Sequence, residues 1–178
     1  MALWRLYYHV VWATKQRLPL ITTAIESELY GYVIGKAHAL GCITHAIGGI
    51  EDHIHSIVSI PPKLSISDFV RAIKGSSAHH INHSGFDSPD RFAWQRGYGV
   101  FSLGSKQLPR AVNYVRDQKK RHREENLVSH LEKVTEEDDG PAPWNHGEAL
   151  MHIAVPASLH SELEQSHASS GRAWSASR

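Results

Sequence analysis

The chain has 178 residues, 41% of them hydrophobic, which suffices for one real core and holds no run near the roughly 18 apolar residues of a membrane span. A single cysteine excludes an internal disulfide framework and suits a reducing cytoplasm, and the N-terminus reads as a strand rather than a cleavable leader. The net charge of +1 hides an asymmetry: residues 131–178 hold three basic and eight acidic groups, against sixteen basic and ten acidic in residues 1–130, and a basic body suits a polyanionic partner.

Trp4 to Thr14 is rich in aromatic and β-branched residues and predicts a buried strand, ended by Lys15-Gln16-Arg17 and Pro19. Thr23 and Glu26 have capping-box spacing and open a helix that closes at Gly41. Cys42 to Ile50 is a second strand, with Cys42 read as a small buried hydrophobe and Gly48-Gly49 as part of the turn before Glu51-Asp52. Residues 53–60 form a third strand, stopped by Pro61-Pro62. Ser65 or Ser67 caps a helix running to about His83, with Ile66, Phe69, Val70 and Ile73 inward. A loop over residues 82–90, a fourth strand near Tyr98–Leu103, and a long helix from Pro109 to about Leu127 follow. The order β-α-β-β-α-β plus a helix predicts an α+β, ferredoxin-like (split βαβ) antiparallel sheet with helices on one face and an extra C-terminal helix. The domain is expected over residues 1–130. Residues 131–178 are expected to be an acidic, low-complexity tail.

The chemistry gathers on the third strand. Residues two apart project to one side, so His53 and His55 present paired imidazoles, half of a divalent-metal site. On the last helix Leu108, Ala111, Val112 and Val115 share one face, while Tyr114, Gln118 and Arg121 form a stripe along its shoulder. A tyrosine hydroxyl can attack a phosphodiester. With a free pKa of about 10 it is a weak nucleophile at neutral pH, so a cation at the phosphate is needed. Gln118 offers a neutral oxygen ligand beside the imidazoles, and the run Lys119, Lys120, Arg121, Arg123 offers contacts to a nucleic-acid backbone. Taken singly, each has a plain structural reading: a half-exposed strand, a buried aromatic, a solvated basic face. The joint pattern points to phosphodiester chemistry.

The residues that carry a resemblance are Tyr8-His9-Val10-Val11-Trp12-Ala13-Thr14-Lys15, Asp52-His53-Ile54-His55, Ser59-Ile60-Pro61-Pro62-Lys63-Leu64-Ser65, Lys74-Gly75-Ser76-Ser77, Trp94-Gln95-Arg96-Gly97-Tyr98 and Tyr114-Val115-Arg116-Asp117-Gln118. In this order and over residues 4–127, they resemble the single-tyrosine HUH transposases, the TnpA type of the IS two-hundred/six-oh-five insertion sequences. The resemblance implies a sheet-joined homodimer, Tyr114 as nucleophile, and His53, His55 and Gln118 as ligands of Mg²⁺ or Mn²⁺. It further implies cleavage and rejoining of single-stranded DNA at hairpin-marked insertion-sequence ends through a 5′-phosphotyrosine, the tyrosine helix often completing the partner subunit's histidine pair. Lys15, Arg17, Lys74, Lys119, Lys120 and Arg121 are the candidate DNA contacts. No membrane is involved, and the expected location is the cytoplasm, at the nucleoid. Ser56 departs from the leucine of many relatives, and the tail has no recognised counterpart. Two other classes compete: a non-catalytic module binding single-stranded nucleic acid on Trp12 or Tyr98, and a two-histidine phosphoesterase. The phosphoesterase would need a second His-x-Ser/Thr motif that the chain lacks.

Overall fold

Seven residues of aromatic and branched character, Tyr7–Ala13, make β1, the strand from which the sheet is built outward. The computed structural model describes residues 3–86 and 91–134, all within one compact unit. The tail from residue 135 and the loop residues 87–90 lie outside the described residues. After β1 come α1 (Thr23–Ala39), β2 (Ile43–Ile50), β3 (His53–Ser59), α2 (Ile66–His83), β4 (Gly99–Leu103), α3 (Leu108–Arg116) and α4 (Gln118–Arg123). The strand order is β2-β3-β1-β4 and every pairing is antiparallel. This is the split βαβ arrangement that the element order predicts.

Strand alternation gives the sheet two different faces. On one, Val10, Trp12, Ile54 and Val58 pack under Ile25, Leu29 and Val33 of α1 and Phe69, Val70 and Ile73 of α2. Each such side chain, fully buried, contributes about 1.5–3 kcal/mol, so this layer is where stability accumulates. Cys42 belongs to it, and burial lifts its thiol pKa to about 11. The other face carries α3, α4 and a 3-10 turn at Ser129–Glu132, and its apolar layer is thin. Ala46, Ile57, Tyr114 and Val115 form its buried cluster, and Val11 is buried on the same face.

Helix ends follow their local chemistry. Ser65 caps α2 by accepting the Asp68 N–H, as expected. Gly41, at φ +77°, closes α1 in a Schellman motif: its N–H bonds the His38 carbonyl, and that of Cys42 bonds Ala37. Three details differ from expectation. The cap of α1 is Thr22 rather than Thr23, because the extended Thr22 already offers its carbonyl to the N–H groups of Ile25 and Glu26. Gly48 and Gly49 lie inside β2, and the turn is Glu51-Asp52 alone. The expected continuous helix to Leu127 is broken at Asp117, a poor helix former whose φ of −91° and ψ of 9° end α3 and start α4. One irregularity interrupts the β2–β3 ladder: the pairing shifts by a residue between Thr44 and Ala46, a β-bulge.

Candidate active site

Across the thin face, the row that contains His55 reads Gly48, His55, Val11, Gly99 from one sheet edge to the other. Both edge positions are glycine, and both are covered by backbone. A Cβ on Gly48 would stand 2.3 Å from the Val115 carbonyl oxygen, and one on Gly99 would stand 2.3 Å from that of Lys133. Glycine inside a strand often marks such close approach. Two elements therefore descend beside His55: the α3–α4 segment with Tyr114 and Gln118, and the 3-10 turn with Glu132.

His53 and His55 are 2% and 0% exposed, with ring centroids 4.9 Å apart. Tyr114 lies beside the pair of its own chain, its ring 6.2 Å from that of His55. Arg121 lies over the phenol ring, its guanidinium carbon 4.8 Å from the ring centroid. Glu132 ties these groups together. Its Oε2 lies 3.1 Å from His55 Nε2 and 3.2 Å from His53 Nε2; its Oε1 accepts a hydrogen bond from the Tyr114 hydroxyl and lies 3.5 Å from Gln118 Nε2. His122 borders the cluster, with Nε2 3.7 Å from Glu132 Oε2 and its ring 5.0 Å from that of His53.

A second layer orients the imidazoles. Asp52 Oδ1 lies 2.5 Å from His53 Nδ1; a carboxylate only accepts, so the hydrogen sits on Nδ1 and Nε2 faces the site. His55 Nδ1 is 2.8 Å from His9 Nε2, which leaves its Nε2 facing the same space. The charges follow. Burial opposes ionisation of Glu132, yet the imidazoles of His53 and His55 beside it hold its carboxyl well below the usual range. Burial likewise acts to lower the His53 pKa, and Asp52 and Glu132 reverse it, so the net shift is upward. His55 is lowered, mainly by burial. Tyr114 is raised, first by burial and then by the carboxylate of Glu132, so the unaided phenol stays protonated.

These residues fit a divalent ion. His53 Nε2 and the Gln118 side-chain oxygen are buried without a hydrogen-bond partner, and imidazole nitrogens beside oxygen atoms are a ligand set for a divalent ion. The donor atoms of His53, His122 and Glu132 lie within 4.8 Å of one another.

The predicted cations are dispersed. Lys15 and Lys120 are exposed. Arg17 pairs with Asp52 at 3.1 Å and Lys119 with Glu26 at 2.5 Å, whereas Lys74 caps the carbonyls of Gln95, Arg96 and Gly97 at 2.7–2.9 Å. The structure thus brings Tyr114, His53, His55, Gln118 and Arg121 together and leaves Lys74 and Lys119 engaged elsewhere. Sequence reasoning missed Glu132, His122, Asp52 and His9. His122 had a signal, four residues beyond Gln118 on the same helical face. Glu132 had a weaker one, Val128 and Leu131 at helical spacing just before it.

Known proteins resemble this chain. Residues 2–118 match the family described as Transposase IS200 like. The transposase for insertion sequence element IS200 of Salmonella typhimurium is 29% identical over 130 residues, covering 65% of this chain and 78% of that protein. The ISDra2 transposase TnpA of Deinococcus radiodurans is 31% identical over 80 residues, 44% of this chain and 56% of that one. Among solved structures, a candidate transposase from Deinococcus radiodurans aligns with a TM-score of 0.52 and 25% identity, over 66% of this chain and 93% of its own. A REP-associated tyrosine transposase bound to a REP hairpin aligns with the same TM-score at 18% identity, over 68% and 74%, a likeness of fold. The family match over residues 2–118 spans well over half of the chain: the chain belongs to the IS200-like transposase family.

Proposed function

We propose that this transposase cuts and rejoins single-stranded DNA at insertion-sequence ends with Tyr114 as nucleophile. The Tyr114 oxygen attacks the scissile phosphorus as the phenol gives up its proton. The bond from phosphorus to the 3′ oxygen breaks, and that oxygen takes up a proton as a free 3′-OH. The 5′ phosphate remains on the tyrosine, so the bond energy is conserved and a 3′-OH of another strand can reverse the step. His53, His55 and Gln118 would hold Mg²⁺ or Mn²⁺, which would supply charge to polarise the phosphoryl oxygens. The single observation that supports this reading best is convergence: the Tyr114 hydroxyl and both imidazole Nε2 atoms meet at one carboxylate, that of Glu132.

Arg121 keeps the phenol in place while Lys15, Arg17, Lys119 and Lys120 engage the DNA backbone, phosphates replacing the carboxylates that Arg17 and Lys119 now hold. Lys74 enters this set through the 95–97 loop that it ties down. The substrate is a hairpin-bearing single strand, in keeping with the hairpin bound by the REP-associated relative. The working form is a sheet-joined homodimer in the cytoplasm, at the nucleoid; no helix among the described residues is long and apolar enough to cross a membrane.

The test uses a radiolabelled hairpin oligonucleotide carrying the element's own end, with Mn²⁺. A covalent adduct on the 5′ side is expected from the wild type and none from Tyr114→Phe. An adduct on the phenylalanine variant rules out Tyr114. Chelator-resistant DNA binding with no cleavage of any hairpin substrate favours the non-catalytic binding module instead.

A further inference from the structure

We infer that Glu132 is itself a metal ligand, so that the bound ion is held by His53, His55 and this carboxylate, with Gln118 alongside, and fastens the turn Ser129–Glu132 to the sheet. The inference rests on the metal reading given above and extends it to a segment that the sequence assigns to the tail.

The geometry carries it. Donors at right angles around an ion, with bonds of about 2.1 Å, are about 3 Å from one another. Glu132 Oε2 is 3.1 Å from His55 Nε2 and 3.2 Å from His53 Nε2, the spacing of a carboxylate oxygen that shares an ion with each imidazole. His53 Nε2, although 3.2 Å from that oxygen, makes no hydrogen bond to it. His55 Nε2 does hydrogen-bond that oxygen, and an ion between the two would replace this bond. Two imidazoles and one carboxylate leave further ligand positions open, which a site receiving a phosphoryl oxygen needs. The carboxylate also supplies the charge and hardness that two imidazoles and an amide lack for Mg²⁺.

The backbone is built for this approach. Gly99 admits the Lys133 carbonyl at a distance no side chain would allow, and Arg17 Nη2 reaches the Glu132 carbonyl at 3.5 Å. Val128 and Leu131 pack into the apolar cluster with Val115 and Ile57, so the turn is seated on both sides of Glu132. Its other carboxylate oxygen holds the Tyr114 hydroxyl, linking the ion's ligand shell to the phenol.

The experiment is a Mn²⁺ titration of the full chain without DNA, followed by electron paramagnetic resonance of free Mn²⁺. It compares wild type, Glu132→Gln and His53→Ala, each checked for folding by far-ultraviolet circular dichroism. Amide exchange of residues 129–133 is measured in parallel, with and without Mg²⁺. Binding at least tenfold weaker in Glu132→Gln, and Mg²⁺-dependent slowing of exchange in the wild type but not in that variant, is the expected result. Equal affinity in wild type and Glu132→Gln overturns the inference. Tighter binding in that variant overturns it too, making Glu132 an occupant that competes with the ion. If His53→Ala binds Mn²⁺ as well as the wild type, the metal reading itself fails; loss in His53→Ala with Glu132→Gln unaffected sinks only the present inference.

Discussion

Asp52 divides its carboxylate between two tasks: Oδ1 takes the hydrogen of His53 Nδ1, and Oδ2 takes an N–H of Arg17 at 3.1 Å. Burial would raise its pKa, but these bonds, that to His53 foremost, hold it below the usual carboxylate range, so it is charged at neutral pH. Arg17 reaches it from a left-handed backbone, φ +53°, next to Gln16 at φ +56°. Residues other than glycine keep that conformation where the surroundings enforce it. Replacing Asp52 by Asn keeps the shape and removes the charge that fixes the ring of His53. Isothermal titration with Mn²⁺ is expected to show affinity about 10–100-fold lower, the usual cost of losing a partner behind a metal-binding histidine, with an unchanged unfolding midpoint. An unchanged affinity would mean that Asp52 serves only the turn. In the sequence Asp52 is legible only as a turn residue, because nothing in a one-dimensional pattern says which way its carboxylate points.

At the level of elements, strand identities and order were readable because β-branched and aromatic runs alternate with capped helical stripes, and Ser65 and Gly41 mark their boundaries chemically. The histidine pair was readable because a period of two needs no tertiary knowledge. What escaped the pattern depended on approach between elements. Gly48 reads locally as turn material beside Gly49, whereas its role comes from the Val115 carbonyl that settles on it. Gly48→Ala is expected to lower stability by about 1–3 kcal/mol, the usual range for overpacking, in a urea denaturation. It should also reduce adduct formation beyond what that loss explains, because α3 must lift and carry Tyr114 with it. Gly75→Ala in α2 is the matched control: nothing lies within 4 Å of its added methyl, and stability should rise by up to about 1 kcal/mol. If both substitutions behave alike, the close approach at Gly48 carries no weight. Glu132 escaped for a related reason. Its segment is short and acidic, and its apolar anchors Val128 and Leu131 gain meaning only from the cluster they join.

For the molecule as a whole, the sheet divides labour between its faces. The α1–α2 face holds the deep core around Trp12, Leu29, Ile54 and Phe69; the other face holds the chemistry over Ala46, Ile57 and Val115. Regions with few buried apolar contacts open at lower free energy than the core. Native-state hydrogen exchange of the apoprotein should therefore rank the amides of α3 and α4 as less protected than those of α1 and α2, in separate opening events. Exchange of all four helices at one common free energy would contradict that division.

The bulge at Thr44–Ala46 has a consequence for how the site is kept in tune. Before it, Ile43 faces Ser59 and Thr44 faces Val58; after it, Ala46 faces Ile57 and Gly48 faces His55. An uninterrupted ladder would instead bring Ile47 opposite His55, putting an isoleucine under the Val115 carbonyl. The extra residue acts as a vernier: a one-step offset in hydrogen bonding at the far end of the strand selects which side chain underlies the helix that carries Tyr114. The geometry of the candidate site is thus set by counting residues along an edge strand, several positions away from Tyr114 and the histidine pair.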